Sequence, residues 1–178
     1  MRVAFFGGSF DPPHVGHQMA MLWALATARV ERMLVVPCFR HPFDKPLSPY
    51  EHRLAMARLA AAPFSDLVEV SEIEARLGGA SRTLLTVRAL LAERPGDHLV
   101  VVIGSDLVDE REKWYGWREL SCLVEFAVVG RAGHGGAEVA IPDISSTEIR
   151  ARRKRGESIE GLVAANVADY ITERWLYR

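Results

Sequence analysis

This chain is poor in the features that mark several whole classes of protein. Only two of its 178 residues are cysteines, Cys38 and Cys122. Two thiols cannot build a disulfide framework, and theirs is not zinc-site spacing. Both read as small buried hydrophobes of a reducing compartment. No apolar run approaches the ~20 residues that a membrane-spanning helix needs. The first apolar run stops at Phe6 against glycine, so no signal peptide is expected and the cytoplasm is the expected compartment. Neither sign of charge dominates: 22 Lys and Arg against 23 Asp and Glu leave a net charge of −1. Composition therefore gives no ground for nucleic acid or an anionic membrane as a partner. One basic cluster stands out, Arg150, Arg152, Arg153, Lys154 and Arg155, which reads as a solvated helix face that can also attract phosphates. Repeats, low-complexity segments and long linkers are missing too. What remains is a chain 49% apolar and 25% charged, ordinary for a soluble globular protein, and long enough for one domain, 1–178, with a real core.

Apolar runs alternate with helical patterns throughout. Strands are expected at Val3–Phe6, Met33–Pro37, Leu67–Val70, Leu99–Ile103 and Val124–Val129. Helices are expected near 14–28, 49–62, 81–93 and 114–122, with closing helices over about 146–178. Leu162, Val163, Val167, Tyr170, Ile171 and Leu176 are the expected core contacts of that last stretch. The alternation predicts a doubly wound parallel sheet with helices on both faces. Ligands then belong at the carboxyl ends of the strands, near a topological switch point. The loops 7–17, 37–46 and 104–110 all follow strands.

The stretch RVAFFGGSFDPPHVGH, Arg2 to His17, organises the rest. A buried strand runs into Gly7 and Gly8, expected to turn with positive φ and to let another group come close. After Pro12 and Pro13 the spacing turns helical, with Val15, Met19, Leu22 and Ala26 expected on the core face. A strand, a glycine turn and a helix start present backbone N–H groups and a favourable dipole to phosphate. His14 and His17, three apart in the first turn, share a face beside that anion site.

Other segments read more weakly. The loop 38–49 holds three prolines and reads as a surface loop, where His41 and Lys45 face an anion or solvent. Ser81 is placed to cap the next helix. Arg82 meets a phosphate or carboxylate, or points outward. Gly104-Ser105-Asp106 is a strand-end turn whose Asp caps a helix or accepts from ribose hydroxyls. Trp114 is core or a stacking platform for an aromatic base, and Trp117 is packing. Arg131 stacks on adenine or lies exposed, before a glycine-rich surface loop at 132–140. Ser145 and Glu148 have capping-box spacing, so a second helix starts there, again offering N–H groups and hydroxyls to an anion.

GSFDPPHVGH resembles the HxGH motif of the nucleotidyltransferases, usually written GG[ST]FDPxHxGH. The chain as a whole resembles the nicotinate-nucleotide adenylyltransferases within that family. Ile144-Ser145-Ser146-Thr147-Glu148-Ile149-Arg150 matches the family's Ile-Ser-Ser-Thr-x-Ile-Arg segment, Gly104-x-Asp106 its Gly-x-Asp, and EHRLAM its segment after the substrate loop. Two places depart. The family's Pro-Pro-His-Lys reads His41-Pro42-Phe43-Asp44-Lys45 here, and Arg82 stands where an aromatic is usual.

The resemblance implies a Rossmann-like HxGH-type fold and adenylyl transfer from ATP to nicotinate mononucleotide, giving deamido-NAD and pyrophosphate in NAD biosynthesis. It implies that His14, His17 and Arg150 are catalytic. Gly7, Gly8, Ser9, Phe10, Gly104, Asp106, Arg131, Ile144, Ser145 and Ser146 would bind ATP. Lys45, Thr83, Trp114 and the N–H of Tyr115 would bind the mononucleotide. Mg²⁺ is expected as a cofactor, held by substrate phosphates and water rather than by a protein ligand set. Nucleic acid and membrane are not expected partners, and a homo-oligomer is left open. Nicotinamide mononucleotide or phosphopantetheine as acceptor, or a non-catalytic nucleotide-binding module, are the competing readings.

Overall fold

The computed structural model describes residues 1–131 and 140–178. In chain order the elements are β1 (Arg2–Gly8), α1 (Val15–Thr27), β2 (Arg32–Pro37), α2 (Tyr50–Ala61), β3 (Val68–Val70), α3 (Ile73–Leu77) and α4 (Thr83–Glu93), followed by β4 (His98–Gly104), α5 (Trp117–Leu123), β5 (Glu125–Arg131), β6 (Ala140–Ile141), α6 (Ser146–Lys154) and α7 (Ala165–Glu173). The six strands form a sheet in the order β3-β2-β1-β4-β5-β6. Every pairing is parallel. The five expected strands are present. The two-residue β6 and the five-residue α3 are too short for periodicity to reveal.

Both faces of the sheet are buried, which explains the unbroken apolar strands. Ala4 and Phe6 of β1, with Met33 and Val35 of β2, pack with Ala20, Met21 and Ala24 of α1. Their alternates Val3, Phe5, Leu34 and Val36 face the other way, against Ile73, Leu84, Val87, Leu90 and Leu120. A third cluster joins Met56 and Ala60 of α2 to Ile149, Ile159, Val163, Val167 and Ile171, so the closing helices dock on α2. Leu162, Tyr170 and Leu176 pack partly buried against it.

The core face of α1 differs from expectation. Met19 and Leu22 are exposed, and the buried positions are Gly16, Ala20, Met21 and Ala24. The buried stripe is mostly small residues, which bring the helix axis close to the sheet; the larger apolar residues were misleading because size does not set the face. The thiols also divide: Cys38 is buried and Cys122 exposed. Burial pushes the Cys38 thiol pKa above its ordinary value, so it stays protonated.

From β1 the chain winds outward through β2 and β3, then returns to β4 on the other side of β1 and continues to β5 and β6. The switch point therefore lies between β1 and β4, whose carboxyl ends are Gly8 and Gly104. The crevice of a doubly wound sheet opens there.

Candidate active site

Two cavities meet over that switch point. One, of about 210 Å³, is lined by His14, Gly16, His17, Asp106, Ile141, Pro142 and Ile144. The other, of about 230 Å³, is lined by Ser9, Cys38, His41, Pro42, Glu74, Ser81, Thr83 and Trp114. Both include Phe6, Gly7, Gly8, Gly104 and Leu107, so they join along the strand ends. A third, of about 280 Å³, continues from the second through Pro42, Ser81, Thr83 and Trp114, and adds Phe43, Arg82, Glu110, Lys113 and Tyr115. The result is one cleft, with the histidine pair on one side of the junction and an aromatic chamber on the other.

Gly7 and Gly8 serve by lacking side chains. Both belong to β1 and neither has positive φ. A Cβ would stand 3.1 Å from the Phe5 ring at Gly7 and 3.2 Å from the Phe10 ring at Gly8. The left-handed residue is Phe10, at φ 47°, and it is 1% exposed. Its ring centroid lies 4.9 Å from that of His17, so Phe10 supports the imidazole from below.

His14 is the N-cap residue of α1 and His17 the third residue of its first turn. Their ring centroids are 3.7 Å apart, as the spacing requires. The His14 backbone N–H donates to His17 Nδ1 at 3.1 Å. A nitrogen that accepts carries no proton, so neutral His17 holds its proton on Nε2 as a donor. Gly16 makes room for this pair, since a Cβ there would come within 3.0 Å of His14 Nδ1.

The second helix start is built as its sequence reads. Ser145 is the N-cap of α6 and its hydroxyl accepts from the Glu148 N–H at 3.2 Å. Ser146 Oγ donates to the Pro12 carbonyl at 2.9 Å, and Arg150 Nη1 donates to the Asp11 carbonyl at 2.7 Å. Arg150 Nη2 meets Thr147 Oγ1 at 3.3 Å. The start of α6 is thus stapled to the HxGH loop. Farther along, Arg152 and Arg155 pair with Glu148, and Arg155 with Glu157. That face is solvated, as its composition suggested.

The aromatic chamber is held by a turn. Trp114, Tyr115 and Gly116 precede α5, so the helix begins three residues later than expected. Gly116 takes φ 67° and presses on α4: a Cβ there would meet Leu84 Cδ2 at 2.2 Å. This contact puts Trp114 and Tyr115 beside Arg82 and Thr83. The N–H groups of Trp114 and Trp117 are bonded to the carbonyls of Arg111 and Trp114. Among the described residues, neither the N–H of Tyr115 nor the hydroxyl of Thr83 has a protein partner. Trp117 packs against Phe126, with centroids 5.3 Å apart.

Three buried charged residues escaped sequence reasoning. Arg53, 1% exposed, donates to the carbonyls of Ser48 (2.9 Å), Ser9 (3.0 Å), Cys38 (2.6 Å) and Phe39 (3.3 Å). It joins the turn after β1 to the 38–48 loop. Glu74 accepts from the Phe39 N–H at 3.0 Å, from Thr86 Oγ1 at 3.0 Å and from the Ser81 hydroxyl. Asp11 accepts from the Ser48 N–H at 3.1 Å and from the Tyr177 hydroxyl at 2.7 Å. Asp11 stands inside GSFDPPHVGH and Arg53 inside EHRLAM, yet nothing local distinguishes these charges, or Glu74, from solvated ones. Ser81 is not a helix cap: Arg82 occupies that position, and the Ser81 hydroxyl goes to Glu74 and Phe39 instead.

The remaining expected residues divide. Lys45 is exposed and lines none of the three cavities. His41 lines the second cavity, and partial burial with Lys45 nearby lowers its pKa, which favours the neutral ring. Arg131 closes β5, but its side chain lies outside the described residues. So does the 132–140 loop, apart from Ala140 at the start of β6.

A family model described as cytidylyltransferase-like matches residues 5–152. A probable nicotinate-nucleotide adenylyltransferase of Anaeromyxobacter dehalogenans (strain 2CP-1 / ATCC BAA-258) is 45% identical over 182 residues, covering 99% of this chain and 97% of its own length. This chain belongs to the nicotinate-nucleotide adenylyltransferase family. A probable nicotinate-nucleotide adenylyltransferase of Myxococcus xanthus (strain DK1622) is 37% identical, over 99% of this chain and 95% of its own. The fold agrees. The nicotinic acid mononucleotide adenylyltransferase of Plasmodium falciparum, complexed with NaAD, superposes with a TM-score of 0.86 at 21% identity, over 99% of this chain and 97% of that one. The cytidylyltransferase-like match runs from within β1 to within α6, so the starts of α1 and α6 in this adenylyltransferase family member both fall inside it, while α7 and Tyr177 lie beyond.

Proposed function

We propose that this protein transfers the adenylyl group of ATP to nicotinate mononucleotide, releasing pyrophosphate and deamido-NAD, as a step of NAD biosynthesis in the cytoplasm. The observation that carries the reading is the junction of two cavities at Gly7, Gly8 and Gly104, with His14 and His17 on one side of it. An in-line displacement needs an attacking and a leaving group on opposite sides of one phosphorus, and the joined cavities provide for both.

The mononucleotide's 5′-phosphate oxygen forms a bond to the α-phosphorus as the bond to the α–β bridging oxygen breaks. No protein nucleophile is required. The contribution of the chain is positioning and charge stabilisation. His17, with its proton on Nε2, donates to the α-phosphoryl oxygens as charge builds, and His14 acts beside it. Ser9 and the 7–10 backbone line the phosphate turn. Asp106 and Gly104 meet the ATP ribose, and Ile144, Ser145, Ser146 and Arg150 meet the departing pyrophosphate. Two of the five guanidinium N–H groups of Arg150 are committed to protein, which leaves donors for phosphate. Trp114 stacks on the pyridine, and Thr83 Oγ1 with the Tyr115 N–H receives its carboxylate.

Mg²⁺ would be held here by substrate phosphates and water. Among the described residues no group of three or more His, Cys, Asp or Glu is placed to hold a metal, and Asp106 lines the histidine-side cavity. An ion favouring phosphate oxygens and water suits such a site. When bound it would neutralise phosphate charge. Among the described residues, no helix is long and apolar enough to cross a membrane.

The test is pyrophosphate release from ATP with nicotinate mononucleotide, nicotinamide mononucleotide and phosphopantetheine. Turnover fastest with nicotinate mononucleotide is the expected result. Turnover with another acceptor, or none, overturns the assignment.

A further inference from the structure

We infer that Arg82, seconded by Lys113, reads the charge of the acceptor's pyridine substituent and so sets the choice of nicotinate over nicotinamide mononucleotide. The inference rests on the acceptor proposed above.

The acceptor's phosphate must reach the junction at Gly7, Gly8 and Gly104, because the phosphorus under attack lies there. The third cavity touches none of those glycines and joins the cleft only through Pro42, Ser81, Thr83 and Trp114. The end of the mononucleotide remote from its phosphate is the pyridine ring. The ring substituent therefore points into this chamber. Nicotinate carries a carboxylate there, and nicotinamide a neutral amide.

The chamber's charged lining consists of Arg82, Lys113 and Glu110, two cations against one carboxylate. Arg82 is partly buried, with its guanidinium carbon 5.6 Å from the Tyr115 ring centroid. This cation–π contact helps order the guanidinium while leaving its N–H donors available. Arg82 makes no hydrogen bond or ion pair from its side chain to the described protein. Its place is fixed from both sides: it is the N-cap residue of α4, and Gly116 locks the Tyr115 turn onto Leu84 of the same helix. A cation ordered over the chamber favours the carboxylate over an amide through a charge-assisted bond.

Specificity constants for nicotinate and nicotinamide mononucleotide are measured for the wild type and for Arg82→Gln, Arg82→Lys and Lys113→Met. Arg82→Gln is expected to cut the acid-to-amide ratio of kcat/KM about tenfold or more, a loss of roughly 1.4 kcal/mol. The loss should fall on KM for the acid, with the amide nearly unchanged. Arg82→Lys should keep part of the ratio, and Lys113→Met should lower it less. In the wild type, added salt should raise KM for the acid more than for the amide; both substrates carry the phosphate, so the difference isolates the carboxylate. An unchanged ratio in Arg82→Gln, an equal loss on both substrates, or equal salt dependence overturns the inference and leaves the nicotinate acceptor standing. A wild type without preference between the two would sink the nicotinate reading itself.

Discussion

The Tyr177 hydroxyl donates to Asp11 Oδ1 at 2.7 Å, so the end of the chain clasps the loop that carries the histidine pair. The other oxygen of Asp11 accepts from the Ser48 N–H, and its carbonyl accepts from Arg150. One residue of the HxGH loop thereby joins the 38–49 loop, the start of α6 and the C-terminal segment. Burial, then the bond to Asp11, pushes the Tyr177 hydroxyl pKa above its ordinary value.

Tyr177→Phe should cost about 1.5–3 kcal/mol of stability, the scale of one hydrogen bond to a carboxylate. The folded pKa is raised above the unfolded value of about 10. The contribution is therefore complete below that pH and is lost as pH rises through the folded value. Urea denaturation should show the wild type losing stability above about pH 10, with a flatter curve for Tyr177→Phe. Parallel curves would count against Tyr177 as the responsible group.

His17→Ala should lower kcat by about two orders of magnitude or more, as loss of a donor to developing charge does. Fold and ATP binding should survive, because Phe10 and Gly16 remain packed. Single-turnover kinetics with bound ATP checks this, and near wild-type turnover would remove His17 from the chemistry.

Arg150→Ala should weaken ATP by about 1.5–3 kcal/mol, the scale of charged hydrogen bonds. The effect on the mononucleotide should be smaller, because Arg150 sits at the start of α6. Calorimetric titration of each ligand measures both. Some loss on both sides is expected, since Arg150 also holds the Asp11 carbonyl; equal loss would mean that it acts only through the loop.

Arg53→Met should destabilise the fold by about 3 kcal/mol, because the carbonyls of Ser9, Cys38, Phe39 and Ser48 lose their donor. For a chain of this size that is a fall in Tm of roughly 10 °C. A Tm within a degree or two of wild type would show that water replaces the guanidinium.

The strand runs, the two histidines three apart and the Ser145 capping site were legible because each follows from local chemistry. A doubly buried strand must be apolar throughout, residues at i and i+3 of a helix share a face, and an N-cap hydroxyl needs only its own helix. The strand-end junction followed in outline from strand–helix alternation, which places ligands at carboxyl ends.

What only the tertiary structure decided were the contacts between segments distant in sequence. The burial of Arg53, Glu74 and Asp11 depends on partners contributed by other segments, 5 to 166 residues away. Nothing local tells such a charge from a solvated one. The buried face of α1 was likewise settled by how closely small residues let it approach the sheet, not by its hydrophobic pattern. Arg82 shows the same limit: its neighbours in sequence left it pointing at either an anion or solvent. The turn at Gly116, packed on Leu84, put Tyr115 within cation–π reach of it and made it part of the lining of the aromatic chamber. Periodicity and motif report what a segment can do alone, whereas a side chain's partner is set by which segments the completed sheet brings together.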